Sequence, residues 1–474
     1  MKKTKAIITV GPSSKDIDTL KELVLHGADV IRINLSHASR AFCDEIIRKV
    51  RRLEEELDRP IGIMLDTDGP SVRLHEFMEE TVNIPTDKKV KLYRYPVVCN
   101  NTQFSVNYDD IVDELDIGDV ILLGDGLVEF EVIDIDTDYV LLNTTVGGVV
   151  RSNQTVHVKG KTFKIPFLSE KDRKGILYAI KKKVDFVALS YVRDEQDILE
   201  VTDLLIENED NHVNIIAKIE NPSAIEYLDE IIKVSDGVMV ARGDLGIEAS
   251  MEKLPYHQKL ILKKAREYGK TAIVATDFLH SMEESNRPAR SEVSDIYNAV
   301  MDNCDAIMLS GETTIGNYPI EVVDTLTKVI ASAEEDFNYE ENLQETFRNM
   351  KNDITSNIAY SVVESSLRLN ASSILTNTNS GYTAMKISYF RPMCPILALS
   401  PNIETTRLLT INYGVIPVLS TECKSTDTII NMCTRKAINM FDYEGGEIVI
   451  ITGGFPISNK NTNFMKIEVI EEQE

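Results

Sequence analysis

The sequence predicts an α/β protein: a (β/α)8 barrel (a TIM barrel), a small β-domain inserted into it, and a C-terminal α/β domain. Three observations carry this. Short, almost continuously apolar runs alternate with helix-length segments about eight times; the rhythm breaks at about 75 and resumes near 170; a new α/β pattern begins near 345. Near-continuous apolar strands are those of a parallel sheet covered on both faces, and eight β-α units close a barrel. A doubly wound open sheet is the rival arrangement. The division expected is 1–74 with 165–340 for the barrel, 75–164 for the insertion and 345–474 for the last domain.

In chain order, the run at 6–11 stops at Gly11-Pro12, and Ser13 or Ser14 is placed to cap a helix through about Gly27 with Leu20, Leu23 and Val24 on its apolar face. A strand at 30–36, a helix over roughly 40–57 and a strand at 61–66 complete a β-α-β-α-β start. Between about 75 and 165 the runs shorten and alternate, as at 120–123 and 128–132, and Gly, Asn and Asp punctuate them, the pattern of antiparallel β-structure. Barrel strands resume at 186–192, 214–220, 237–243, 271–276 and 306–311. The last domain has strand signals at 372–377, 395–400, 415–420, 447–452 and 465–470. The acids Glu334, Glu335, Asp336, Glu340 and Glu341 before it read as a solvated charge run.

Composition narrows the function. At 474 residues, two to four domains are expected, and 43% hydrophobic with 27% charged residues is globular. A net charge of -25 argues against nucleic acid or an anionic membrane as partner, yet leaves room for small phosphorylated substrates. The apolar run after Lys2, Lys3 and Lys5 is too short for a signal peptide, and no segment reaches the roughly 20 apolar residues of a membrane span. Cys43, Cys99, Cys304, Cys394, Cys423 and Cys433 have no Cys-x-x-Cys spacing, so neither a zinc site nor a disulfide framework is indicated. The expected location is the cytoplasm.

The chemistry is expected at Asn214-Ile215-Ile216-Ala217-Lys218-Ile219-Glu220-Asn221. In a strand, residues i and i+2 leave the same face, so Lys218 and Glu220 would point the same way. Working residues of a barrel sit at the C-terminal strand ends. Those ends read Arg32, Asn34 and Ser36; Asp66 and Thr67; Lys218 and Glu220; Arg242, Gly243 and Asp244; Thr276; Ser310, Gly311 and Glu312. Oxygen ligands with two carboxylates beside a lysine suit a hard divalent ion such as Mg²⁺, while Arg32, Arg73 and Lys218 can balance phosphate charge. Neither His37 nor His257 has a pairing that suggests acid-base work.

These residues also carry a family resemblance. Ile31-Arg32-Ile33-Asn34-Leu35-Ser36-His37, Leu65-Asp66-Thr67, Ala217-Lys218-Ile219-Glu220-Asn221, Met239-Val240-Ala241-Arg242-Gly243-Asp244-Leu245-Gly246 and Leu309-Ser310-Gly311-Glu312-Thr313 resemble the signature segments of the pyruvate kinases, in order, over essentially the whole chain. The resemblance implies transfer of a phosphoryl group from phosphoenolpyruvate to ADP, giving pyruvate and ATP. It implies that Glu220 and Asp244 hold Mg²⁺ (or Mn²⁺) and that Lys218 neutralises the phosphoryl group and the enolate. Backbone N–H groups at Gly243 and Asp244 would hold the substrate carboxylate, and Thr276 would help relay a proton to the enolate carbon. Arg32 and Arg73 would grip phosphates, with Asn34 also on the nucleotide side. Asn34, Ser36, Asp66 and the Thr67 carbonyl would form a potassium site. The inserted domain would close as a lid. A homotetramer is the family expectation.

The chain departs from the family pattern in places. Leu-Asp-Thr-Lys-Gly-Pro-Glu-Ile-Arg becomes Leu65-Asp66-Thr67-Asp68-Gly69-Pro70-Ser71-Val72-Arg73, and the glutamate replaced by Ser71 is tied in the family to potassium dependence. Gln154 stands where a lid lysine usually meets the nucleotide, and either Lys159 or Lys161 would be the compensating cation. Asp277, His280, Ala289 and Ile315 differ as well. An acid at Asp68 or Asp277 would repel a polyanion unless it faces away or binds a cation. Thr378-Asn379-Ser380-Gly381-Tyr382-Thr383-Ala384, with Gly453-Gly454 and Asn461-Thr462-Asn463, resembles the loop where some family members bind phosphorylated effectors. Two other readings stand beside the main one: a divergent paralogue with 2-oxo acid enolisation or decarboxylation, and a metabolite-binding regulator.

Overall fold

The computed structural model describes residues 1–471 apart from 125, 211, 351, 423–424 and 455–461. Eight parallel strands close a barrel: β1 (Lys5–Thr9), β2 (Val30–Asn34), β3 (Gly62–Asp66), β4 (Phe186–Leu189), β5 (Asn214–Ile219), β6 (Gly237–Ala241), β7 (Thr271–Ala275) and β8 (Ala306–Leu309). Each pairs with its sequence neighbours, and β8 returns to β1 through Lys5↔Ala306. The rival open sheet is thereby excluded.

Strand parity sets what faces the axis. Ile7, Val30, Met64, Phe186, Ala188, Ile216, Met239, Ile273, Ala275, Ala306 and Met308 form one buried cluster, the barrel's filling. Their odd or even neighbours, such as Ile8, Ile31, Leu65, Ala217 and Val240, pack outward in the larger cluster shared with the helices. On β5 the same parity that turns Ile216 inward turns Lys218 inward.

Between β3 and β4 the chain makes a six-stranded sheet, in which Val128–Ile135 and Tyr139–Val146 are the long central pair, and a two-stranded ribbon of Thr81–Ile84 with Gly148–Arg151. This insertion has its own core around Phe104, Phe130, Val132 and Leu142. Beyond the barrel, Val415–Leu419, Ile396–Ser400, Ser373–Asn377, Ile448–Gly453 and Phe464–Val469 lie side by side in that order, the last antiparallel.

The C-terminal domain closes the barrel's far end. Ile411, from its short turn Leu409–Ile411, joins the cluster that fills the barrel. Arg391 donates to the Asp305 carboxylate and, at 2.7 Å, to the Asn303 carbonyl, while the Arg407 guanidinium spans both oxygens of Glu54. Both partners of the first pair are buried. Breaking a buried pair from one side leaves a charge without solvent or partner, so Arg391→Ala should lower stability by about 3–5 kcal/mol. Urea unfolding reads this as a lower first midpoint, and an unchanged midpoint would show the tie to be energetically idle.

Two local expectations need correction. The helix Ile17–Leu25 is preceded by Asp16 as N-cap, without a side-chain cap bond; Ser14 instead accepts from the Gly11 N–H at 3.1 Å and so tightens the turn after β1. Glu334 is not solvated with its acidic neighbours. It is buried and accepts the backbone N–H groups of Lys3 and Thr4 at 2.6–2.9 Å, which anchors the N-terminus to the helix Pro319–Glu335. Cys43, Cys99, Cys304, Cys394 and Cys433 are each buried at separate places; Cys423 lies outside the described residues. Among the described residues no helix is long and apolar enough to cross a membrane.

Candidate active site

At the mouth of the barrel, one lysine organises the ends of three strands. Lys218 Nζ lies 2.8 Å from Ser190 Oγ, 2.8 Å from Glu220 Oε1 and 3.3 Å from Asp66 Oδ1. Burial lowers its affinity for a proton, but Asp66 and Glu220 outweigh that and hold the ammonium above its ordinary value. Asp66 is shared: its other oxygen accepts from Arg32 Nε at 2.7 Å, and Arg32 reaches Thr9 Oγ1 at 2.9 Å. Burial works to raise the Asp66 carboxyl, and the two cations nevertheless keep it low.

Glu220 is the unusual member. It is buried, and its Oε2 accepts from the Tyr191 N–H at 2.5 Å. Oε1 faces the Lys218 ammonium at 2.8 Å and takes no other hydrogen bond. Burial pushes the carboxyl up to about 7, opposed by Lys218 and reinforced by Asp244. Asp244, in the short helix Arg242–Glu248, accepts from the Tyr191 hydroxyl at 3.1 Å. Two acids that repel each other, with one buried oxygen that only the Lys218 ammonium faces, form a place that a divalent cation fits. The described residues contain no cluster of three or more metal-ligating side chains. A Mg²⁺ ion held by one or two carboxylates takes its remaining ligands from water and substrate oxygens, so this open set suits it.

Thr276 has φ 73°, a region a β-branched residue enters only at a cost, and its Oγ1 accepts from the Gly243 N–H at 2.9 Å. That contact puts the β6 and β7 ends in register, and it engages the Gly243 N–H otherwise expected to meet substrate. Arg242 is occupied as well: it stacks on Phe278 at 3.9 Å and bonds to the Ala275 and Thr276 carbonyls and to Asp295. Glu312 accepts from Leu279 and Ser310 N–H groups, a bracing role.

The potassium candidates lie together at the β2 and β3 ends. Asn34 Oδ1 accepts from Ser36 N at 3.0 Å, and the Thr67 carbonyl accepts from Ser190 Oγ at 2.8 Å. The Ser36 hydroxyl donates to Asp68 at 2.8 Å, and Asp68 also binds Arg73 Nη2 at 2.9 Å and Lys171 Nζ at 2.8 Å. Burial opposes the ionised form of Asp68, but these partners keep it low. The acid at 68 therefore binds cations, and Arg73 is engaged by Asp68 and by Ser71 Oγ at 3.1 Å.

On the lid, Gln154 accepts from the Arg151 N–H at 3.0 Å and braces its own turn. Lys161 is held by Asp116 and Asp119 at 2.8 and 2.6 Å, and Lys159 is exposed. His157 meets Glu248 at 2.8 Å, joining a lid strand to the helix that bears Asp244. His280 is exposed beside Glu283.

Of the C-terminal loop, Thr378 is buried, Ser380 is exposed and Gly381, at φ 81°, turns the chain into the helix Tyr382–Tyr389. Thr383 and Thr462 share a 2.7 Å hydroxyl bond. Asn461 lies outside the described residues.

Sequence reading missed Ser190 and Tyr191. Their place at a strand end, in the run at 186–192, was the only signal, since that run holds no charged residue.

Comparison with known proteins gives two family matches, "Pyruvate kinase, barrel domain" over residues 1–323 and "Pyruvate kinase, alpha/beta domain" over 356–468. Among curated relatives, "Pyruvate kinase" of Sporosarcina psychrophila is 37% identical over 473 residues, covering 99% of this chain and 81% of the relative. "Pyruvate kinase" of Bacillus licheniformis is 37% identical over 472 residues, and that of Geobacillus stearothermophilus 36% over 474, with the same shares covered.

Proposed function

The chain belongs to the pyruvate kinase family, and on that premise we propose that Lys218, Glu220 and Asp244 carry its chemistry. The reaction is glycolytic phosphoryl transfer from phosphoenolpyruvate to ADP, giving pyruvate and ATP. The observation behind the residue assignment is the turn of Lys218 and Glu220 toward one point, with Asp244 tied through Tyr191 to the same carboxylate.

Phosphoryl transfer asks a protein for position and charge rather than covalent help. Lys218 neutralises charge that develops on the transferring group and on the enolate oxygen left behind. Arg32, held by Asp66 and Thr9, offers its remaining guanidinium N–H groups to the phosphoryl oxygens. Glu220 and Asp244 would hold the divalent ion, which would supply positive charge beside the phosphoryl group. Thr276 Oγ1 accepts from Gly243 and so keeps its own O–H to give toward the enolate carbon. The Asp244 N–H, in the first turn of its helix, meets the substrate carboxylate. Asn34 and Arg73 serve the nucleotide phosphates, Arg73 after exchanging Asp68 for them. The lid, joined to the barrel at His157 and Glu248, excludes water.

Potassium has little to add here. Even after Arg73 turns to the nucleotide, Asp66 keeps Arg32 and Lys218 and Asp68 keeps Lys171, so a further monovalent charge gains little. A lactate-dehydrogenase-coupled assay tests both statements. Pyruvate formation should require ADP and a divalent ion, and should fall by less than about threefold when tetramethylammonium replaces potassium. Loss of that turnover in Glu220→Ala and Asp244→Ala would carry the residue assignment and full turnover in either would remove it; a collapse without potassium would restore a filled site at Asn34, Ser36, Asp66 and Thr67.

A further inference from the structure

We propose that Tyr191 is the positioning residue of the divalent-ion site, a single side chain and amide that set both acids for the metal. The proposal rests on reading Glu220 and Asp244 as that pair. The residue sits just beyond β4, and its two polar groups diverge onto two different carboxylates. Its N–H is 2.5 Å from Glu220 Oε2 and its hydroxyl 3.1 Å from Asp244 Oδ1. The acids come from different strands, at the ends of β5 and β6, so no bond within either strand can fix their separation.

The backbone is unusual for this. Tyr191 has φ 57°, in the left-handed region that a bulky side chain enters at a cost of order 1 kcal/mol or more. The left-handed residue sends its amide to Glu220 and its ring across to Asp244. Its neighbour Ser190 completes the arrangement, since the Ser190 hydroxyl takes Lys218 at 2.8 Å. One dipeptide thus braces the catalytic ammonium with one residue and both acids with the other. Each acid keeps its second oxygen, Glu220 Oε1 and Asp244 Oδ2, out of Tyr191's bonds. A pair of like charges would otherwise turn apart, and removal of such an outer partner typically weakens a metal 10–100-fold.

Manganese titration of the metal-free protein, followed by the electron paramagnetic resonance of free Mn²⁺, tests this without turnover. Tyr191→Phe keeps the ring and the amide and removes only the hydroxyl. The expected result is Mn²⁺ affinity roughly tenfold weaker, with the thermal midpoint nearly unchanged. Affinity within twofold of wild type overturns the proposal. Glu220→Ala runs alongside: if it too leaves Mn²⁺ binding intact, the acid pair is not the metal site and both readings fall. If E220A loses the ion and Y191F does not, the Tyr191 proposal alone fails. Should Y191F not fold, wild type decides. The chain has no tryptophan, so its near-ultraviolet absorbance is dominated by tyrosine. Mn²⁺ binding should perturb that band as Asp244 redistributes its charge, and a flat difference spectrum at saturation overturns the proposal.

Discussion

Lys218→Met is expected to lower kcat by on the order of 10²–10³-fold while leaving KM for phosphoenolpyruvate within a few-fold. The split follows from where the ammonium sits. In the free protein it is already surrounded by Ser190, Glu220 and Asp66, so binding a ground-state substrate changes its environment little. Charge that appears on the enolate oxygen during transfer is a different matter. A buried, preorganised cation stabilises it without reorganising, and methionine offers only bulk. Arg32, the proposed phosphate ligand, would keep its place in the variant through Asp66 and Thr9. Steady-state kinetics of the purified variant checks this. Equal losses in kcat and kcat/KM would match a group acting in the transition state; a large rise in KM alone would reassign Lys218 to substrate binding.

The barrel was legible because parallel strands buried on both faces leave runs that no surface strand would tolerate. Lys218 and Glu220 were legible for a geometric reason, the two-residue period that carries Ile216, Lys218 and Glu220 to one side. What stayed hidden depends on contacts between distant segments. Asp68 looked like a threat to a polyanion because its partner Lys171 lies 103 residues on, at the other hinge of the insertion. Glu334 looked solvated because a charge run averages over faces; its own face is taken by the N-terminal amides.

Tyr191 was hidden for another reason. A left-handed tyrosine has no one-letter signature, unlike a glycine in the same place. Gln154 shows the converse limit. Its position in the lid marked only a missing nucleotide lysine, whereas its side-chain oxygen takes the Arg151 amide and braces the turn. Residue types that serve loops and residue types that serve ligands overlap, and only coordinates separate them.

Glu220 makes the second large expected effect, and its direction follows from linkage. Burial, with Asp244 adding to it, lifts the carboxyl from 4.5 to about 7 in the metal-free fold. A raised folded value means that the native state holds this proton more tightly than the unfolded chain. The resulting stability is fully present below the unfolded value and is lost as pH rises through about 7. A divalent ion bound by Glu220 and Asp244, as proposed, would take the proton's place and offset the repulsion from Asp244. Thermal midpoints of the metal-free protein should therefore contain a component that declines across this window, and Mn²⁺ or Mg²⁺ should raise the midpoint more at about pH 8 than at about pH 6. Calorimetry at about pH 6 in buffers of different ionisation enthalpy should register close to one proton released per ion bound. Glu220→Gln should abolish that release and the pH-dependent component together, and lower kcat/KM by roughly 10²-fold or more, since the amide fills the space without the charge. Proton release that persists in Glu220→Gln would assign the titrating acid elsewhere in the cluster.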